Sequence, residues 1–241
     1  MPARAEDPKI TLHSDVYPGI DINGRLKGAA DGKVVYIAGA SRGIGAATAH
    51  AYALAGCKGL FLTGRSLDTL ASVSASIRTS LPGNVGEKLV IETDAVDITD
   101  LNAVGESVKR CVQKFGRIDV VIANAGYMEA WTKITECDPI GWWKIWEVNI
   151  EYGEQGIKVF SIHPGGIVTE LARQEPKVLP FLHDKVELAS HTMVRLSSGS
   201  EDWLSGRFIS CNWDLDELAK RRTEIEEGDL LKNRLDVGVL A

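Results

Sequence analysis

"KVVYIAGASRGIG", residues 33–45, is the stretch whose reading decides the fold. Its first half is a short, apolar, β-branched run of the kind that forms a parallel strand buried on both faces, and it stops at glycine. "IGAATAHAYALAG", residues 44–56, follows at once as a helix pattern ending at Gly56. Between them Gly39, Gly43 and Gly45 are spaced G-x-x-x-G-x-G. A strand that ends in so tight a turn, where a side chain would obstruct, and passes straight into a helix aims the first helical amides at an anion such as a pyrophosphate. A glycine-rich connection that only packs helix on strand is the plainer alternative. The agreement of strand, spacing and helix favours the nucleotide turn.

Reading outward, the same alternation continues. "GLFLTGR" (59–65) is a strand, "SLDTLASVSASIRTSL" (66–81) a helix with Ser66 as its N-cap, and "KLVIETDAVD" (88–97) a strand. "LNAVGESVKRCVQKF" (101–115) is a helix and "IDVVIANAG" (118–126) a strand. Strands that alternate with helices in this way predict an α/β fold, a Rossmann-like doubly wound parallel sheet whose right-handed crossovers place helices on both faces. Past Gly126, "DPIGWWKIWEVNI" (138–150) reads as a helix with Pro139 in its first turn, and "IKVFSIHPGG" (157–166) as a strand entering a glycine turn. "DKVELASHTMVRLSS" (184–198) is a helix, "SGRFISCNW" (205–213) a last strand, and "DLDELAKRRTEIEEGDLL" (214–231) a single charged helix begun by Asp214. Residues 1–32, rich in Gly, Asp and Pro and without a sustained period, are expected as a leader on the surface of one domain spanning 33–241.

Composition narrows the function classes. With 241 residues, 44% of them apolar and 25% charged, the chain has enough material for one sizeable core. A net charge of −6 argues against a general nucleic-acid binder. The four cysteines, Cys57, Cys111, Cys137 and Cys211, form no CxxC pair and no metal-ligand spacing with histidine, so no metal site is expected and a reducing, cytoplasmic setting is. No apolar run reaches the ~18 residues needed to span a bilayer, and no signal-peptide core opens the chain.

The side chains around the glycine turn speak to the choice of nucleotide. An acidic residue near the end of the second strand ordinarily holds the adenine ribose 2′-hydroxyl, but here that place reads "TGR". A carboxylate would repel a 2′-phosphate, whereas Arg65, helped by Arg42 inside the turn, offers planar forks that suit one. NADP(H) is therefore expected over NAD(H), the alternative being that both arginines are solvated surface charges. Asp97 stands where an adenine would lie beyond the third strand, or else caps the next helix, which Asp100 is equally placed to do. Asn124, Ala125 and Gly126 combine an amide with two small residues, suited to close approach of a ribose or to a plain turn.

Taken in order, these motifs resemble the short-chain dehydrogenase/reductase family. "AGASRGIG" resembles its TGxxxGxG, with Ala38 in place of the usual Thr, and "DITD" resembles its adenine-pocket segment. "NAG" is similar to NNAG, Asn149 in "WEVNI" to the Asn of the catalytic tetrad, and "HPGGIVTEL" to the PGxxxT loop beside the nicotinamide. The resemblance implies cofactor contacts from Gly39, Ser41, Arg42, Gly43, Ile44 and Gly45, and from Pro164, Gly165, Ile167 and Thr169. It is nearest to fungal members found beside secondary-metabolite genes, whose tail "WLSGRFISCNWDLDELAKRRTEI" resembles. That implies a small-molecule carbonyl or alcohol substrate such as a polyketide or terpenoid, with no nucleic acid or membrane as partner.

The family's chemistry also needs residues this chain does not possess. Hydride transfer to a carbonyl carbon requires a proton donor at its oxygen. In the family a Tyr of a YxxxK helix gives that proton, the Lys one turn on lowers the phenol's pKa, and a Ser on the preceding strand holds the substrate oxygen. The five tyrosines here are Tyr17, Tyr36, Tyr52, Tyr127 and Tyr152, and none is followed by Lys four residues on. Only residues 150–163 separate Asn149 from Pro164, too few for a strand of ~6 residues and a helix of ~12. The sheet is thus expected to be short of one central strand and helix. Either "KVFSIH" moves into the vacant slot or apolar surface stays bare, and the oligomer the family forms through that helix is expected to be lost. His163 and Ser161 are the nearest substitutes for the missing acid, though packing at the strand end explains them more simply. Trp142, Trp143 and Trp146 suit a helix core better than a pocket for a flat substrate.

Overall fold

In the computed structural model, which describes residues 10–81, 88–126 and 158–232, β1 is Val34–Ala38. Its residues Val34 to Ile37 are buried, as an apolar run without alternation requires. β1 lies between β2 (Gly59–Gly64) and β4 (Val120–Ala123), and β3 (Val90–Ala95) pairs with the far side of β2. All pairs are parallel, in the order β3-β2-β1-β4. The crossovers are α1 (Gly43–Leu54), α2 (Leu67–Ser80) and α3 (Leu101–Phe115). Ser66 caps α2 by accepting from the Thr69 amide, Asp100 caps α3 by accepting from the Asn102 and Ala103 amides, and Gly116 closes α3 in the left-handed region.

The second half of the chain builds β5 (Phe160–His163), α4 (Val186–Leu196), β6 (Arg207–Ser210), α5 (Leu215–Lys220) and α6 (Arg222–Glu227). β5 and β6 are parallel partners, but among the described residues no hydrogen bonds join β5 to β4. "KVFSIH" has therefore not moved into the place beside β4. What holds the pair against the larger sheet is helix packing. α4 lies on α1, where Tyr52 donates to the Met193 carbonyl at 3.1 Å and meets the Ser197 hydroxyl at 2.6 Å. Every residue of α4 from Leu188 to Leu196 is buried. Both β4 and β5 bury one face only: Val120, Ile122, Phe160 and Ile162 pack on the core, while Val121 is 63% exposed and Ser161 and His163 face outward. A strand in the interior of a doubly wound sheet is ordinarily covered on both faces.

Two expectations are corrected. Residues 10–32 are not a leader on the surface, because Ile10, Tyr17, Ile20, Ile22, Leu26 and Ala30 belong to the main hydrophobic cluster. Their apolar positions follow turns and one 3-10 turn, Pro18–Ile20, so no helical or strand period marks them. The terminal helix is not continuous either. Arg221, at φ −99° and ψ 13°, divides it into α5 and α6, with Leu215 and Leu218 buried on the first piece and Ile225 on the second.

One buried guanidinium stitches these late pieces together. Arg195 on α4 donates from Nε to Glu201 at 2.8 Å and from one terminal nitrogen to the Gly19 carbonyl at 3.0 Å, while the other pairs with Asp216 at 2.8 Å. The thiols of Cys57, Cys111 and Cys211 are free and buried, and desolvation pushes them to about 12, 11 and 12. Among the described residues no helix is long and apolar enough to cross a membrane. Removing the Arg195 side chain strands the Glu201 carboxylate in the interior. Arg195→Ala is expected to cost about 3–5 kcal/mol, read as a lower urea midpoint, with Glu201→Gln costing less.

Candidate functional site

The site is built where β1, β4 and the first turn of α1 converge. Gly39 has φ +80°, and a Cβ there would stand 2.7 Å from the Cα of Ala125. A Cβ at Gly45 would lie 2.2 Å from the Gly39 carbonyl oxygen and 2.6 Å from Nδ2 of Asn124. Both positions therefore admit only glycine, one for its dihedral and the crowding of β4, the other because helix and turn touch backbone to backbone. Asn124 locks the contact by donating from Nδ2 to the Gly39 carbonyl at 2.9 Å. Gly39 and Ala40 both donate to the Thr63 carbonyl at 2.9 Å, tying the turn to the end of β2. The Asn124 amide so serves the turn itself.

No side chain caps α1, whose N-cap residue is Arg42, so the opening amides of the helix are left to a ligand or to solvent. Beside them Ser41 packs against Gly64, its Cβ 3.5 Å from where a Gly64 Cβ would be, and this brings the turn next to Arg65. Arg42 and Arg65 are both exposed, and neither forms an ion pair among the described residues. Ile44 packs on the core and fixes the first turn of the helix. At the end of β3, Asp100 takes the cap of α3, whereas exposed Asp97 accepts from the Thr99 amide at 2.9 Å and from its hydroxyl at 2.8 Å. Asp97 is thus not the cap of α3; its carboxylate orders the loop that follows β3.

The turn after β5 reaches the glycine turn from the other side. Thr169 Cγ2 lies 3.6 Å from where a Gly43 Cβ would stand, so the loop Pro164–Thr169 meets the opening of α1. Ile167 is buried, and the Thr169 hydroxyl accepts from the Ala172 amide at 3.1 Å where the next 3-10 turn begins. Gly165, at φ +93°, donates to Nδ1 of His163 at 3.3 Å. A neutral His163 accepting there carries its proton on Nε2. Two residues unmarked in the sequence hold this loop. Asp184 Oδ2 accepts from the Gly166 amide at 2.5 Å, and Asn212 Oδ1 lies 3.3 Å from where a Gly165 Cβ would be. Neither belongs to a motif, and both reach the loop through tertiary contacts.

The structure thus joins Gly39, Ser41, Arg42, Gly43, Ile44, Gly45, Arg65, Asn124, Ala125 and the 164–169 loop around one helix opening. Asn149 lies outside the described residues, as do Tyr127, Tyr152 and the helix expected at 138–150. The three described tyrosines are structural: Tyr17 donates to the Trp213 carbonyl, Tyr36 meets Ser107, and Tyr52 lies under α4. Burial raises the Tyr17 phenol to about 12. Among the described residues the site is a glycine turn and an uncapped helix opening, an arrangement suited to an anion.

Comparison with known proteins agrees with this geometry. The family model described as short chain dehydrogenase matches residues 33–151. The short chain dehydrogenase citE of Monascus ruber is 31% identical, over 92% of this chain and 94% of its own. That of Emericella variicolor, andI, is 29% identical over 83% and 88%. Among solved structures, a short-chain type dehydrogenase/reductase from Mycobacterium ulcerans superposes with a TM-score of 0.65 at 19% identity, covering 75% of this chain and 88% of that one. A 3-ketoacyl-(acyl-carrier-protein) reductase from Brucella melitensis, complexed with NADH, gives 0.61 at 18% identity, covering 75% and 97%. The glycine turn, the parallel sheet and these relatives lead to one conclusion: the chain belongs to the short-chain dehydrogenase/reductase family.

Proposed function

We propose that this chain is by descent an NADP(H)-dependent oxidoreductase interconverting a carbonyl and an alcohol on a secondary metabolite such as a polyketide or terpenoid. As it stands it keeps the cofactor half of the site and lacks the proton-transfer half. The observation that carries the cofactor choice is the pair of exposed guanidinium groups, Arg42 and Arg65, beside an uncapped helix opening. Two such forks favour a 2′-phosphate over a bare 2′-hydroxyl. The cradle fits a dinucleotide: the amides after Gly39 would hold the pyrophosphate, Asp97 would border the adenine, and Asn124, Ala125 and Gly126 would border a ribose. Pro164, Gly165, Ile167 and Thr169 would flank the nicotinamide, which supplies hydride when bound.

A second reading, a dinucleotide-binding protein without turnover, is favoured by the other half of the molecule. No YxxxK occurs in the sequence, and the alignment with citE runs over 280 positions although the chain has 241 residues. The relative therefore carries residues for which this chain has no counterpart. The parting of the sheet between β4 and β5, each with a bare outer face, is where a strand and helix would belong. A skipped coding segment between Asn149 and Glu151 accounts for all three observations, and with it would go the family's oligomer.

Calorimetric titration is expected to show NADPH binding more tightly than NADH. The double change Arg42→Ala with Arg65→Ala should weaken NADPH about tenfold or more, with NADH moved far less. Tighter binding of NADH by the unaltered chain would overturn the NADP(H) choice. Gly45→Ala should abolish binding of both and lower the urea midpoint, since a methyl group at 2.2 Å from a carbonyl oxygen forces helix and turn apart. No NADPH oxidation is expected over a panel of ketones, and transcripts read across codons 149–151 should yield an in-frame segment encoding YxxxK. Turnover that disappears in His163→Ala would instead make His163 the acid.

A further inference from the structure

The loop Pro164–Thr169 is gripped from two sides, and the rear grip comes from the start of the chain. Residues 11–14 run antiparallel to the stretch that leaves β6. Leu12 bridges Trp213, His13 donates its amide to the Asn212 carbonyl at 2.8 Å, and Asp214 donates its amide to the Thr11 carbonyl at 3.0 Å. From this strap two contacts pass to the loop. Asn212 Nδ2 donates to the His13 carbonyl at 2.8 Å, while Oδ1 of the same side chain accepts from the Ser210 hydroxyl at 3.3 Å and lies 3.3 Å from where a Gly165 Cβ would stand. The Ser14 carbonyl accepts from the Lys185 amide at 2.8 Å, and the preceding residue, Asp184, exchanges bonds with Gly166: its amide donates to the Gly166 carbonyl at 2.9 Å, and its carboxylate accepts from the Gly166 amide. Ile167 forms a parallel bridge to Asp184.

The strap is anchored against α5. Thr11 donates from its amide and its hydroxyl to Glu217 at 2.7 and 2.8 Å. His13 Nε2 lies 2.9 Å from Asp214 Oδ2, its ring stacks on Tyr17 at 4.0 Å, and the Tyr17 hydroxyl accepts from the Leu215 amide. Neither the strap nor the loop lies within residues 33–151, where the family model matches.

We infer that residues 11–14, acting through Asn212 and Asp184, position the Pro164–Thr169 turn against the opening of α1, so that the start of the chain sets the affinity for the nicotinamide half of the cofactor. Asn212 and Asp184 are positioning residues, and the inference rests on the NADP(H) reading only for its effect on affinity. Its structural content is independent of any ligand: the turn is bonded by Asp184 and abutted by Asn212, in front of a strap that is itself fixed to the core.

The test uses the full chain. In Asn212→Ala, amide exchange over residues 165–169 should accelerate without ligand while exchange over β1, β2 and β3 stays unchanged. NADPH should then bind about three- to tenfold more weakly, and 2′,5′-ADP, which lacks the nicotinamide half, with unchanged affinity. Asp184→Ala should behave alike, and Asp184→Asn, which keeps an acceptor for the Gly166 amide, should restore most of the affinity. Unchanged exchange over 165–169 overturns the inference. Equal weakening of NADPH and 2′,5′-ADP also overturns it, because the change then acts on the whole fold. If the unaltered chain binds neither ligand, the NADP(H) reading falls while exchange still decides whether the strap holds the turn.

Discussion

Everything in the nucleotide half of the molecule depends on one close approach, that of the first turn of α1 to the carbonyl oxygen of Gly39. At this point strand and helix come nearer than any side chain permits, and the Asn124 amide bonds the same oxygen. The contact sets the angle at which α1 leaves β1. That angle in turn lays α1 along α4, and this helix pair connects two pieces of sheet between which no strand hydrogen bonds run among the described residues. A single backbone-to-backbone contact thus transmits order from the turn to the second half of the chain.

The first half of the fold was legible because its signals are local. The run Val34–Ile37, the caps at Ser66 and Asp100, and the glycine spacing each report on a few neighbouring residues, and each element formed where its signal lay. The segment 10–32 was not legible, because Ile20, Ile22 and Leu26 enter the main cluster by tertiary packing, as where the turn Pro18–Ile20 meets α4, and not by any period of their own. The break at Arg221 carries no glycine or proline, so no local signal marks it. Around the site, Gly45 announced itself by spacing, whereas Asp184 and Asn212 are an ordinary acid and an ordinary amide until the chain folds behind the Gly165 turn.

The catalytic half presents the opposite situation, in which the sequence spoke through what it omits. The count of residues between Asn149 and Pro164 implied a sheet without its middle member, and the two sets of strands, each with one bare face, have the form such an omission would leave. The cradle and the reaction centre of this family are separable in physical terms. The first rests on β1, β2, α1 and the end of β4, all of which precede residue 126.

The strap has a consequence for how the molecule is made. Residues 11–17 find their partners at 212–217, so they must wait for about two hundred further residues to be synthesised. Until then Ile10, Tyr17 and Ile20 have no finished core to enter, and an emerging chain carries them through synthesis as exposed apolar surface. This part of the fold thereby waits for residue 217, and a product halted before it would carry Ile10, Tyr17 and Ile20 unburied.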